Sequence, residues 1–425
     1  MTPLERFEFY KKRIETLNPE LNVYIHLCLE QAEEDARASE QRVRNGRVLS
    51  DIDGWCVAVK ANIAVKGLPH HAGIAAYKDD IAIEDAVAVA RLRKAGAVVL
   101  GVVNMHEGAL GATTDNETFG RTQNPWKHGF TPGGSSGGSG CVVAAGLSDF
   151  ALGSDTMGSV RIPSAYCGVQ GHKPTTGLVP DKGVLALSHT LDHVGPHARS
   201  VDELLPILRV LGASSLDQTK VDLRSIKIGI WSGEGDVVLT PSVQKGFDGL
   251  QSKLSASAIS LKKVSPPVYG YGKSRRAGLL VSEVEAAKIH EEKLKTNPDG
   301  FSDLFKKLMA WGAARPQEEI DKAYEHIFAV KDASMATFND VDVVIAPTAP
   351  QQAFSFEDDV PANQADFTAW ANFAALPATA VCIGLSEDKL PLSCQIIGKE
   401  NEDAFVLAVA QQIEELCGRP PSPYK

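Results

Sequence analysis

The chain predicts an α/β fold, a central mixed β-sheet flanked by helices on both faces. Three observations point there. Amphipathic helical runs alternate with short, wholly apolar runs, the rhythm of buried strands covered by helices. Apolar residues make up 44% of the 425 and charged residues 23%, near the globular average. No repeat, low-complexity segment or linker interrupts the chain, so residues 1–425 read as a single domain.

Taken in order, residues 3–45 read as two helices. Phe7, Tyr10, Ile14 and Leu17 fall near helical spacing, and Asn18-Pro19 is expected to stop the first. The second covers Glu30 to Val43. Trp55-Cys-Val-Ala-Val59 predicts a buried strand. Glu84 to Ala95 is an amphipathic helix closed by Gly96, and Ala97 to Val103 is a fully buried strand. Cys141 to Gly146 reads as a short helix and Phe150 to Gly153 as a strand. Beyond about residue 200 the helical signal dominates, broken by a strand at Ile226 to Ile230. A charged stretch between residues 270 and 335 predicts helices lying over the sheet. Val341 to Ala346 is a buried strand, Ala380 to Gly384 and Leu392 to Ile397 form a late strand pair, and Glu402 to Leu416 closes the chain as a helix.

Charge and composition exclude several classes of function. With 43 Lys+Arg against 53 Asp+Glu the chain is acidic, and no basic run suggests nucleic-acid binding. The charged N-terminus lacks a signal-peptide apolar stretch, and no apolar run reaches the length of a membrane span. The seven cysteines are scattered without a C-x-x-C pair, which points to free thiols in a reducing cytoplasm.

The chemistry concentrates in two serine-bearing, glycine-rich stretches, Thr131-Pro-Gly-Gly-Ser-Ser-Gly-Gly-Ser-Gly140 and Gly153-Ser-Asp-Thr-Met-Gly-Ser-Val-Arg-Ile-Pro163. Ser159 follows a strand and Gly158, a setting that exposes a hydroxyl while nearby N–H groups face a carbonyl oxygen. The first stretch matches neither phosphate-cradling glycine pattern. Its Gly133-Gly-Ser-Ser-Gly137 does satisfy the G-x-S-x-G nucleophile elbow, which would make Ser135 the nucleophile of an α/β-hydrolase-like esterase. That reading needs a late histidine, and none follows His326. His189, His193 and His197 have a spacing that suggests a metal face, but Gly195-Pro196 breaks a continuous helix. No metal or cofactor is expected.

These two stretches, with Cys167-Gly-Val-Gln-Gly-His-Lys-Pro-Thr175 and Cys56-Val-Ala-Val-Lys60, resemble the amidase signature family. The flanks Asn116 to Gly120, Asn124-Pro-Trp126, Leu191 to Pro196, Ile345 to Pro350 and Leu376-Pro-Ala378 resemble it too. The resemblance implies the amidase signature fold, with its motif region at about residues 55–200. It implies hydrolysis of an amide C–N bond through an acyl-enzyme on Ser159, with Ser135 as bridging serine and Lys60 as base. It further implies a cis peptide bond at Gly134–Ser135 and an oxyanion hole from the backbone of Thr156, Met157, Gly158 and Ser159.

Lys60 must be neutral to accept a proton, and its apolar run would lower its pKa by burial. Two departures stand out. Ala61 replaces a commonly acidic residue after the lysine, and Met157 stands where glycine is common. Substrate contacts are expected from Gly134, Arg161 and Tyr166, with Arg161 read either as an ion pair to Asp155 or as the partner of a substrate carboxylate. Trp370 and Phe373 are further aromatic candidates for the pocket wall, although core packing suits each of them, and Tyr166, better.

The expected partner is a small amide or urea-like substrate of allophanate or carboxybiuret type, with room for a homodimer or a small partner subunit. The alternatives are a glutaminase subunit of a tRNA-dependent amidotransferase and a non-catalytic binding protein on the same fold.

Overall fold

The computed structural model describes residues 1–212, 216–233 and 235–424. Among these, eleven strands form one continuous sheet: β1 (Tyr24–Leu27), β2 (Cys56–Lys60), β3 (Val98–Val103), β4 (Phe150–Asp155), β5 (Gln170–Lys173), β6 (His193–Ala198), β7 (Lys227–Ile230), β8 (Ser260–Lys263), β9 (Val343–Pro347), β10 (Ala378–Leu385) and β11 (Pro391–Ile397). Their spatial order is β1-β3-β2-β4-β6-β5-β10-β11-β9-β7-β8. β2 runs parallel to β3 and β4, and β7 runs parallel to β8 and β9. The other neighbours pair antiparallel, so the sheet is mixed, as the sequence predicts.

Wholly apolar runs became interior strands. Every residue of β2, β3 and β4 is buried. One core cluster joins Val57, Val99, Phe150 and Leu152 of these strands to Leu92, Leu204 and Ile207 of helices packed over them. A second cluster on Phe7, Tyr10, Cys141 and Val142 lies against Ala58, Val98 and Leu100. Alternate residues of β2 and β3 therefore enter different clusters, as the twofold side-chain alternation of a strand requires.

Helix boundaries differ from expectation: the helix expected from Cys141 to Gly146 runs Gly137–Ala144, starting inside the glycine-rich stretch, and the one expected from Glu84 begins at Val87. The first helix runs Pro3–Leu21 and carries Pro19 in its last turn, so Asn18-Pro19 does not end it. Asn22 stops it in the left-handed conformation (φ 50°). The Asn18 side chain instead organises the exit, accepting hydrogen bonds from the N–H groups of Val23 and Tyr24 at 3.0 and 2.7 Å. The start is fixed by a capping box between Thr2 and Glu5.

Two parts of the fold position the site. The C-terminal ends of the parallel strands β2 and β4 lie side by side, with Val59 opposite Leu152. Lys60 ends β2, and the Ser159 loop leaves β4. Opposite them lies the helical cover, Tyr271–Ile289, Asp303–Ala313 and Gln317–Ser334. Its first helix buries Ala277, Gly278, Val281 and Val284 toward the sheet side of the molecule.

Candidate active site

Lys60 is fully buried at the end of β2. Its Nζ lies 2.7 Å from Ser135 Oγ and 2.8 Å from Ser154 Oγ. Burial lowers its pKa to about 7, against the opposing pull of the Asp192 and Asp155 charges. The amine is therefore substantially neutral near neutral pH, as a proton acceptor must be. Ala61 is buried in an apolar cluster with Ala72, Ile74 and Met105. Hydrocarbon thus surrounds the lysine's exit from the strand, where an acidic residue would have favoured the ammonium.

Ser154 is a member of the site that sequence reasoning did not assign. It receives Asn62 Nδ2 at 3.1 Å as well as Lys60, and so gives the amine a second hydroxyl partner beside Ser135. Within its strand nothing marks Ser154 beyond its place between Gly153 and Asp155 at the end of β4.

The glycine-rich loop reaches this point through its own serines. Ser136 Oγ donates to the Ser154 carbonyl at 3.0 Å, and Ser139 Oγ donates to the Leu152 carbonyl at 2.8 Å. The loop and the helix that follows, Gly137–Ala144, are thereby fastened across β4. The Gly134–Ser135 peptide bond is cis.

Ser159 lines a cavity of about 270 Å³ together with Gly134, Thr156, Met157, Ile162 and Leu110. The loop beneath it is held by Asp155. Oδ1 of Asp155 accepts Gly158 N–H at 2.7 Å, and Oδ2 accepts Val160 N–H at 3.1 Å. This corrects one expectation. The N–H of Gly158 is spent on Asp155 and is not available to an oxyanion. Gly158 is needed for its backbone: φ is +132°, and a Cβ there would lie 2.2 Å from Thr368 Oγ1. Thr368 in turn donates to the Met157 carbonyl at 2.6 Å. Asp192, a second unassigned residue, accepts the Thr156 hydroxyl at 2.5 Å.

Arg161 and Tyr166 do not line this cavity. Arg161 is fully buried and gives Nε and Nη2 to Asp155 at 3.1 and 3.0 Å, Nη1 to Gln395 at 2.8 Å and Nη2 to Asn372 at 2.7 Å. Its donors are consumed inside the protein, so the geometry carries the ion-pair reading and not that of a substrate contact. Burial alone would raise the Asp155 pKa. The guanidinium charge and the hydrogen bonds from Arg161 and Asn372 outweigh it and hold the carboxyl well below the usual range. Tyr166 is buried and donates to Gln364 Oε1 at 3.1 Å, so it supports a cavity residue from behind.

The three spaced histidines are not a set. His189 is exposed, His193 shares hydrogen bonds with Thr176 and the Asp155 carbonyl, and His197 shares one with Ser164.

The Met157 side chain turns toward the helical cover. An added Cβ on Gly278 would come within 2.7 Å of both Met157 Sδ and Phe373 Cζ. Gly278 is therefore the space that Met157 fills. Gly278→Ala is expected to cost about 1–3 kcal/mol by overpacking. Met157→Ala in the same chain should recover part of that loss. Denaturant unfolding of the two single variants and the double checks this, and strictly additive effects would show that the two residues do not compete for space.

The chain matches the amidase family model over residues 5–407. A glutamyl-tRNA(Gln) amidotransferase subunit from Methanosarcina barkeri is 34% identical, over 93% of this chain and 90% of its own. A crystal structure of an amidase superposes with a TM-score of 0.91 at 31% identity, covering 98% of this chain and 97% of that one. A vestigial protein complex bearing on the origins of an s-triazine catabolic enzyme superposes at 0.89 and 27% identity, covering 99% and 96%. With almost the whole chain matched, the protein belongs to the amidase family, the amidase signature hydrolases that work by serine acyl-enzyme chemistry.

Proposed function

We propose that this chain releases ammonia from a small carboxamide through an acyl-enzyme on Ser159. The observation that carries the reading is the buried Lys60 amine, 2.7 Å from Ser135 Oγ, behind the cavity that Ser159 lines. In this reading Ser159 Oγ attacks the amide carbonyl and passes its proton through Ser135 to neutral Lys60. The N–H groups of Thr156, Met157 and Ser159 receive the developing oxyanion. The proton returns by the same path to the departing nitrogen, and water then attacks the acyl-Ser159 ester.

Glutamine is the first amide donor to test, because the amidotransferase polypeptide is similar over nearly its whole length. In that case a partner would take up the ammonia. The likeness to a chain solved within a protein complex supports looking for one. A second reading, a self-sufficient hydrolase of small amides or ureas, is supported by the TM-score of 0.91 to an amidase and by a cavity of only about 270 Å³. The scattered free cysteines suit a cytoplasmic setting in either case. Among the described residues no helix is long and apolar enough to cross a membrane.

A fluorophosphonate probe tests the nucleophile. The adduct is expected on the peptide carrying Ser159, and Ser159→Ala should abolish labelling. An adduct on Ser135 in the wild-type protein would overturn the assignment. Ammonia release from glutamine, short aliphatic amides and ureas then separates the two substrate readings.

A further inference from the structure

Among the described residues lining the Ser159 cavity, one side chain is charged, that of Arg275. The rest of the wall is apolar or neutral: Leu110, Ile162, Leu187, Leu279 and Val360 supply hydrocarbon, and Thr156, Ser282 and Gln364 supply uncharged polar groups. Arg275 belongs to the covering helix Tyr271–Ile289 and lines the same cavity as Ser159. Its Nη1 is held by Asp366 Oδ1. Asp366 is itself fixed, its N–H donating to the Asn363 carbonyl at 3.0 Å and its carbonyl accepting the Tyr269 hydroxyl at 2.8 Å.

The pair is asymmetric. The Asp366 side chain is 7% exposed and does not line the cavity, whereas Arg275 is 20% exposed and does. Asp366 thus anchors the guanidinium without presenting a negative charge to the ligand. The Nε and Nη2 donors have no acceptor among the described residues, and that edge is a fork suited to a carboxylate. Pairing with Asp366 engages Nη1 alone and leaves the Nε/Nη2 edge of this cavity-lining cation among otherwise uncharged walls.

We propose that Arg275 determines specificity by binding a carboxylate on the substrate, so that the amide hydrolysed is a monoanionic amide acid of a few carbons. This assignment rests on the amide-hydrolase reading of the Ser159 cavity. It gives Arg275 the role that the sequence allowed for Arg161, whose donors are consumed elsewhere. The cavity offers no carboxylate to pair with a substrate ammonium, so a zwitterion gains nothing from its second charge.

The test compares succinamate, its neutral counterpart butyramide, and glutamine, by calorimetric binding and by ammonia release. Wild-type protein should bind succinamate on the order of ten- to a hundredfold more tightly than butyramide. Arg275→Gln should abolish that ratio through the constant for succinamate, with butyramide unchanged. Arg275→Gln combined with Asp366→Asn removes both charges, so no carboxylate is left unpaired. It should give the same loss, and it serves if the single variant folds poorly. Equal binding of succinamate and butyramide to wild type, or a preference that survives in both variants, overturns the proposal. So does tighter binding of glutamine than of succinamate. Absence of ammonia release from all three amides, with the binding preference intact and Arg275-dependent, overturns the hydrolase reading and leaves the carboxylate site standing.

Discussion

Lys60→Ala is expected to lower kcat by roughly 10²–10⁴-fold, the usual worth of a positioned proton acceptor. Lys60→Arg should be nearly as poor, because a guanidinium stays charged and cannot take a proton from Ser135. On the proposed mechanism the neutral amine is the active form. Activity should therefore rise with pH through the lowered lysine pKa of about 7 and then level off.

A stability readout separates this loss from unfolding. The lysine's folded pKa lies below its unfolded value of 10.5, so the burial cost is fully present below pH 7 and fades as pH rises toward 10.5. Lys60→Met, which keeps the chain length without the charge, should then melt at or above the wild-type temperature at pH 7. Its advantage should shrink in alkali. An inactive Lys60→Met with a raised Tm identifies lost chemistry. Near-normal turnover in any of these variants would show that the base lies elsewhere.

What could be read from the sequence was local, and what could not was assembled by the fold. β2 and β3 were legible because every residue in them is apolar or buried, a pattern few other structures allow. β8 was not, because Ser260–Lys263 is a polar edge strand with its side chains largely in water. β6 was hidden by Gly195-Pro196, which suggested a break where the sheet has an interior strand. The same division holds at the site. Lys60, Ser135 and Ser159 stood out because each lies in a short motif. Ser154 and Asp192 did not, because their meaning comes from partners far away in sequence: Ser154 is 94 residues from Lys60, and Asp192 is 36 from Thr156. Arg161 was drawn toward the substrate by its closeness to Ser159, whereas two of its partners, Asn372 and Gln395, lie 211 and 234 residues away.

That buried network predicts the largest stability effect in the molecule. Arg161 and Asp155 are both inaccessible to water, and Asp155 also receives Asn372 Nδ2 at 2.9 Å. Removing the cation alone leaves a carboxylate in the interior without its counter-charge. Arg161→Met is therefore expected to destabilise the protein by about 3–5 kcal/mol at pH 7. It should also loosen the loop that Asp155 holds through Gly158 and Val160, lowering kcat.

The pH dependence fixes the cause. In the wild type the Asp155 pKa is depressed, so its contribution is present above the unfolded value of 3.8 and is lost as pH falls through the folded one. Without Arg161, burial is opposed only by the hydrogen bonds from Asn372 and the loop N–H groups and by the Lys173 charge, so the folded pKa is expected to rise above the unfolded value. The variant then has its full stability below that value and loses it as pH climbs. The stability gap between wild type and Arg161→Met should consequently narrow in acid. Asp155→Asn placed in the Arg161→Met chain removes the stranded charge and should recover part of the loss at pH 7. Denaturant unfolding at pH 5 and pH 7.5 measures both effects. A gap that is the same at the two pH values, and unmoved by the second substitution, would mean that Arg161 stabilises the fold by packing alone.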